Sequence, residues 1–163
     1  MRSVVLVVAL ALAGGCTQDG LEEPSPPDEL DHPFFRCRVE SVLVRDCGFL
    51  RCHGSAQRPF RVYAPNALRN DVPRDRRAQP LTADEQDANY ASALGFAGTD
   101  GKAALLLLKP LDEKAGGYYH RAATFYDRGN VFASSDDEGY ATIAAWIAGA
   151  TEAADCVPAE AGR

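Results

Sequence analysis

The sequence predicts an all-α fold, a small helical domain with long loops. Three observations carry this expectation. Phe35, Val39, Val42 and Leu43 recur at helical spacing through residues 34–45. Thr82 and Glu85 form a capping box that opens a second helix. Ser134, Ser135, Asp136 and Asp137 open a third, placing acids at the positive end of its dipole. Tyr140, Ile143, Trp146 and Ile147 give that helix an apolar face.

Residues 1–15 read as an export signal. Arg2 supplies a positive start, and Val4 to Ala13 form an apolar run too short to span a bilayer. Small residues then lead to Cys16, as in a bacterial lipobox, although Leu12 sits one place early. Cys16 is therefore the expected lipidation site and membrane anchor; an ordinary secretory signal cleaved nearby is the alternative. Thr17 stands where an inner-membrane retention aspartate would sit, so the expected location is the cell envelope, at the outer membrane facing the periplasm or the cell surface. Residues 16–33 hold four prolines, counting from Thr17, and few large apolar groups, so they read as the lipidated N-terminus and a disordered tether. The folded domain is expected over residues 34–156, with a tail over 157–163. The formal charge of −6 has no basic cluster behind it, because Asp71 and Asp75 dilute the run Arg74 to Arg77. Nucleic acid is excluded as a partner.

Within the domain, the first helix delivers the chain to Cys47. Pro59 to Pro80 is loop, with turn chemistry around Asn66. The helix opened by Thr82 runs to Leu94 or Phe96 and stops at Gly98. Ala103 to Leu108 is a short apolar run, either a buried helical turn or an extended piece, and it ends at Lys109-Pro110. Gly116-Gly117 opens a loop around His120, and Gly149 ends the last helix. No internal repeat is visible.

The chemistry concentrates in Cys47-Gly48-Phe49-Leu50-Arg51-Cys52-His53-Gly54. Two cysteines followed at once by histidine form the pattern of covalent haem attachment, where both thiols add to the haem vinyls and the imidazole binds iron. Four residues separate these cysteines, where the usual motif has two. Positions five apart on an α-helix lie about 140° apart around the axis, so the segment cannot stay helical and present both thiols to one haem. Gly48 lets the two extra residues bulge.

Setting Cys16 aside leaves four cysteines, which exported chains keep in pairs or in cofactor bonds. Three pairings are possible. Cys47 and Cys52 belong to the motif, which leaves Cys37 with Cys156. A Cys₃His zinc site from Cys37, Cys47, Cys52 and His53 is the competing use of the same residues, but the usual knuckle spacing is absent. For a haem iron, His53 is the proximal ligand. The chain's one methionine is Met1, inside the signal, so His120 is the candidate for the opposite face, with His32 and Lys109 behind it. Tyr118, Tyr119, Phe125, Tyr126, Phe132 and Trp146 supply aromatic groups for a crevice or simply for the core.

Residues 36–150 resemble bacterial class I c-type cytochrome domains, and more closely the planctomycete-type cytochrome C domains. Val42-Leu43, then Cys47, Cys52, His53 and Gly54, carry the resemblance. Leu107, Lys109-Pro110, Gly116-Gly117, His120, Phe132, Tyr140 and Trp146-Ile147 follow in the family's order. The spacer between the cysteines and the stretch Arg121 to Asn130 depart from its pattern. The resemblance implies a cytochrome c-like fold whose first and last helices cross and pack, an arrangement that the Cys37–Cys156 bridge left by the cysteine count would suit. It implies one haem c and an electron carrier that meets a redox partner protein in the envelope. A haemless, disulfide-stabilised lipoprotein with a binding or scaffolding role is the alternative. One attachment motif without paired acids or a nucleophile triad does not read as an enzyme.

Overall fold

A computed structural model describes residues 30–98, 104–121 and 130–158. The signal, Cys16, most of the tether, Phe125 and Tyr126 lie outside the described residues.

Helix α1 is a continuous run of three segments, His32–Phe34, Phe35–Val39 and Glu40–Asp46. The Asp31 carboxylate accepts from the Phe34 N–H at 2.6 Å and caps its start, with Pro33 in the first turn. The middle segment is a π turn, in which the Glu40 N–H reaches back five residues to the Phe35 carbonyl. The helix starts two residues ahead of the expected boundary at residue 34, and Leu30, four residues ahead of it, already lies in the core. Phe35, Val39, Val42 and Leu43 are buried as their spacing predicts. Cys37 is buried on another flank, where the C-terminal segment runs along the helix. There Arg38 pairs with Glu152 at 2.8 Å, and the Glu152 N–H donates to the Asp31 carboxylate.

Helix α2, Ala83–Ala97, has both bonds of the expected capping box and ends at Gly98 with φ 78°. Its buried residues, Glu85, Asn89, Ala93 and Ala97, recur every four positions. They combine small groups with hydrogen-bonded polar ones, so this face packs through a polar network. Helix α3, Leu105–Leu108, is a single turn that buries Leu106 and Leu107, which settles the helical reading of that run.

Helix α4 is Glu138–Ile147. Asp137 is its N-cap and accepts from the Gly139 N–H at 3.0 Å. Ser134 to Asp136 form a preceding turn, with the Asp137 N–H bonded to the Ser134 carbonyl, so the helix starts later than the run of caps suggests. It ends at Ile147, ahead of Gly149 at φ 91°.

The first and last helices pack together. Phe35 and Trp146 lie 5.1 Å apart, and the fully buried Trp146 indole N–H donates to the Asp31 carbonyl at 2.9 Å. Gly139 permits the approach, because a Cβ there would sit 3.1 Å from Val42 and 2.7 Å from Phe132. The Cys37–Cys156 disulfide joins α1 to the C-terminal segment across 119 residues, with Cα atoms 6.2 Å apart. In the chain-entropy model a loop of that length is worth about 4–5 kcal/mol. Among the described residues there is no strand, only isolated bridges at Tyr63–Leu68 and Leu111–Phe132, and the domain is all-α. No described helix is long and apolar enough to cross a membrane.

The Pro59–Pro80 loop is tied to α2 by side chains. Glu85 and Arg69 form a buried ion pair at 2.9 Å, and Arg69 also donates to the carbonyls of Arg77, Gln79 and Pro80. Asn89 takes the Tyr63 N–H at 2.7 Å and donates to the Tyr63 carbonyl and to Glu40. The loop is therefore a fixed wall, despite its prolines and its lack of regular structure.

Candidate functional site

The motif begins where α1 stops. Cys47 is the C-cap residue, its N–H bonded to the Leu43 carbonyl at 2.9 Å. The next residues turn tightly: Cys52 N–H and Gly54 N–H both donate to the Phe49 carbonyl, and His53 N–H donates to the Cys47 carbonyl at 3.0 Å. This last bond spans six residues and closes the longer spacer. Phe49 and Leu50 project outward at 51% and 62% exposure, so the extra residues bulge into solvent as expected. Gly48 serves this turn through space and not through a left-handed backbone. A Cβ at Gly48 would meet the Val44 carbonyl at 2.7 Å and Ala64 at 2.8 Å. Gly54 is tighter still, with the Gly48 carbonyl 2.1 Å from the place of its Cβ.

Cys47 and Cys52 are free thiols, Cys47 buried and Cys52 partly so. Burial pushes the Cys47 thiol up to about 12, so it is neutral at physiological pH. Cys37 is oxidised with Cys156 and is not available to a Cys₃His zinc site. Among the described residues no group of three or more His, Cys, Asp or Glu side chains is placed to hold a bare metal ion.

His53 and His120 do come together. Their ring centroids are 5.9 Å apart and the planes are inclined by 16°. Both rings line a cavity of about 350 Å³. Its walls include Leu43, Cys47, Phe60, Phe96, Leu106 and Ile143, with Lys109 and Arg121 as its cations. Each element contributes: α1 supplies Leu43, α2 Phe96, α3 Leu106 and α4 Ile143. Of the aromatics named from sequence, Tyr119 lines the cavity, while Phe132 and Trp146 are core and Tyr118 is exposed.

Hydrogen bonds fix the tautomer of both imidazoles. His53 Nδ1 lies 2.9 Å from the Phe60 carbonyl. A carbonyl can only accept, so Nδ1 carries the proton and Nε2 keeps its lone pair. His120 Nδ1 lies 3.2 Å from Asn130 Oδ1. The Asn130 amide is oriented by its nitrogen, which donates to the carbonyls of Lys109 at 3.0 Å and Leu111 at 2.8 Å. The oxygen therefore faces His120, and again Nδ1 donates and Nε2 stays free. Burial lowers the pKa of both rings, aided by their mutual repulsion at His53 and by Lys109 at His120. Both are neutral at pH 7, the form that binds a metal.

Of the other candidates from sequence, one is elsewhere and one is engaged. His32 pairs with Asp87 at 3.3 Å, at the start of α1. Lys109 reaches the cavity, but its ammonium donates to the Tyr119 carbonyl at 3.0 Å. Asn130 and the Phe60 carbonyl are the parts that sequence reasoning missed. No pattern marks an asparagine whose partners are 10 and 21 residues away, and a backbone acceptor has no sequence signal at all.

The site suits a planar, largely apolar metal complex. Two imidazoles bound to one ion at about 2 Å each would place their centroids on the order of 6 Å apart, and 5.9 Å is observed. A porphyrin supplies four iron ligands itself and needs only two from protein, which is the number of imidazole nitrogens left without a partner at this cavity among the described residues. Cavities that bury organic ligands run from about 300 to 1,000 Å³. The bonds behind the two rings also fit, since ligating histidines ordinarily donate their other N–H to a carbonyl or similar acceptor. No family model, curated protein or solved structure matches the chain.

Proposed function

We propose that this chain is an electron carrier of the cell envelope with a cytochrome c-like fold, holding one covalent haem c. Cys47 and Cys52 would be its attachment residues, and His53 and His120 the residues that would bind its iron. Cys16 is its lipid anchor, at the outer membrane facing the periplasm or cell surface, and a redox protein in the envelope is its partner. The paired imidazoles carry this reading: one apolar cavity holds two neutral rings 5.9 Å apart, each with Nδ1 engaged and Nε2 available.

The bound haem supplies reversible one-electron chemistry at iron. The chain's residues do the rest. The Cys47 turn sets the attachment thiols and His53 in one rigid unit. Leu43, Phe60, Phe96, Leu106 and Ile143 exclude water and keep the local dielectric low. The Phe60 carbonyl and Asn130 hold the two imidazoles in the ligating tautomer. No step of bond breaking is asked of the protein, in keeping with a carrier and not an enzyme.

The test is the mass and colour of the exported protein. Protein matured in a host with c-type haem machinery should gain the mass of one haem and keep its colour through acid-acetone extraction. A colourless product with Cys47 joined to Cys52 would overturn the proposal in favour of a haemless binding or scaffolding lipoprotein.

A further inference from the structure

We infer that Asn130 is the positioning residue of the His120 side: it selects the tautomer of His120 and aims its free nitrogen into the cavity. The inference rests on the haem reading for its consequence at iron, but not for the hydrogen bond itself.

His120 and Asn130 stand on opposite arms of one excursion of the chain. Its base is closed by backbone bonds, Phe132 N–H to the Pro110 carbonyl and Asp112 N–H to the Phe132 carbonyl, both at 2.9 Å. Asn130 lies two residues before Phe132 and shares that rigidity. Its amide uses its full capacity. The nitrogen donates to Lys109 and Leu111, and the oxygen accepts from His120 and from the Val131 N–H at 3.0 Å. With both donors spent on carbonyls, the amide cannot flip without placing oxygen against oxygen. His120 thus meets a fixed acceptor. An unconstrained neutral imidazole favours the proton on Nε2, which would block ligation, and Asn130 reverses that preference. The acceptor also adds electron density to the ring and makes Nε2 a stronger donor.

Two variants separate positioning from mere stapling of the excursion. Asn130→Ala removes every bond. Asn130→Asp keeps an acceptor for His120 and loses the donors to Lys109 and Leu111. Nitrogen-15 NMR of the haem-free protein should show His120 protonated on Nδ1 in the wild type and in Asn130→Asp, and predominantly on Nε2 in Asn130→Ala. In the haem-loaded protein, Asn130→Ala should bind carbon monoxide about tenfold more readily, because the sixth ligand is released more often. Its reduction potential should rise, while Asn130→Asp should stay near or below the wild type. If both variants lower thermal stability alike and leave tautomer, carbon monoxide binding and potential unchanged, Asn130 is only a staple and the inference fails. If the tautomer responds but the exported wild type carries no haem, positioning stands and the haem reading falls.

Discussion

The His53 wall and the His120 wall face one cavity, yet they are held by different kinds of bond. Around His53 the ties are backbone to backbone and short in sequence: Cys47 to His53, Phe49 to Cys52 and Gly54, His53 to Val62. The ring itself leans on a carbonyl, which substitution of Phe60 leaves in place. Around His120 backbone bonds fix the base, Tyr118 to Leu108 and Phe132 to Pro110, but the ring itself is held by side-chain ties over longer stretches, with Asn130 linking Lys109, Leu111 and His120 and the Lys109 ammonium holding the Tyr119 carbonyl. A wall of the first kind is set by local chain geometry. A wall of the second kind can be loosened by one amide. The His53 side should therefore be stiff, and the His120 side the one that would release its hold on a bound haem under the proposed function.

A glycine in each wall gives the sharpest contrast and the largest expected effect. A Cβ at Gly54 would lie 2.1 Å from the Gly48 carbonyl, and one at Gly117 would lie 2.0 Å from the Leu111 carbonyl. Both clashes are with backbone, so each alanine variant should cost about 3 kcal/mol in strain or local rearrangement. The consequences differ. Gly54→Ala strains the turn that joins the two cysteines to His53 and should abolish haem attachment. Gly117→Ala displaces the approach to His120 and should leave haem attached but its iron high-spin. Equal loss of covalent haem in both variants, read by intact mass, would erase the distinction between the walls.

How much of this was legible in the sequence follows the same division. The motif, its bulge, the capping box at Thr82 and the apolar face of α4 are local patterns, and the structure places them close to where spacing put them. The Cys37–Cys156 bridge is long-range but was reachable by parity. The start of α1 was misplaced because Leu30 is held by burial against distant residues, while its neighbours in sequence are polar and proline-rich. The late start of α4 reflects competition among four consecutive capping residues, of which only Asp137 reaches the helix N–H groups. The Arg69–Glu85 pair and Asn130 left no trace, because each satisfies carbonyls that only the folded chain brings near.

The His120→Ala variant asks whether the softer wall supplies a ligand at all. It should keep covalent haem and global stability within about 1 kcal/mol, since His120 is not in the core. Under the proposed ligation its iron should turn high-spin and bind carbon monoxide readily, whereas the wild type should be low-spin and resist. An unchanged spectrum would remove His120 from the ligand set and leave His32, Lys109 or an open site to be tested.

The remaining effects concern stability alone, at two buried carboxylates with opposite pH responses: Glu85, which bonds the loop that lends Phe60 to His53, and Glu40, which reaches that loop only through Asn89. Arg69, with the Asn70 and Thr82 N–H groups, outweighs burial at Glu85 and holds it down at about 2, against an ordinary 4.5. Its stabilisation is fully present above 4.5 and is lost as pH falls through 2. Glu85→Gln should therefore cost about 3 kcal/mol at pH 7 and progressively less toward pH 2. Glu40 is the reverse. Its partners, Asn89 and Gln86, are neutral, and burial outweighs them and raises its pKa. The folded state prefers it protonated, so its contribution is present below 4.5 and lost as pH rises through the raised value. Glu40→Gln keeps the shape, removes the charge and should stabilise the protein by about 1 kcal/mol at pH 7, with no gain at pH 3. Urea melts at the two pH values measure both variants. A loss of stability in Glu40→Gln at pH 7 would mean that Asn89 and Gln86 solvate the carboxylate better than water does. The charge at Glu40 would then join the Arg69–Glu85 pair in holding the loop behind His53, and that wall would rest on two side-chain charges as well as on its backbone bonds.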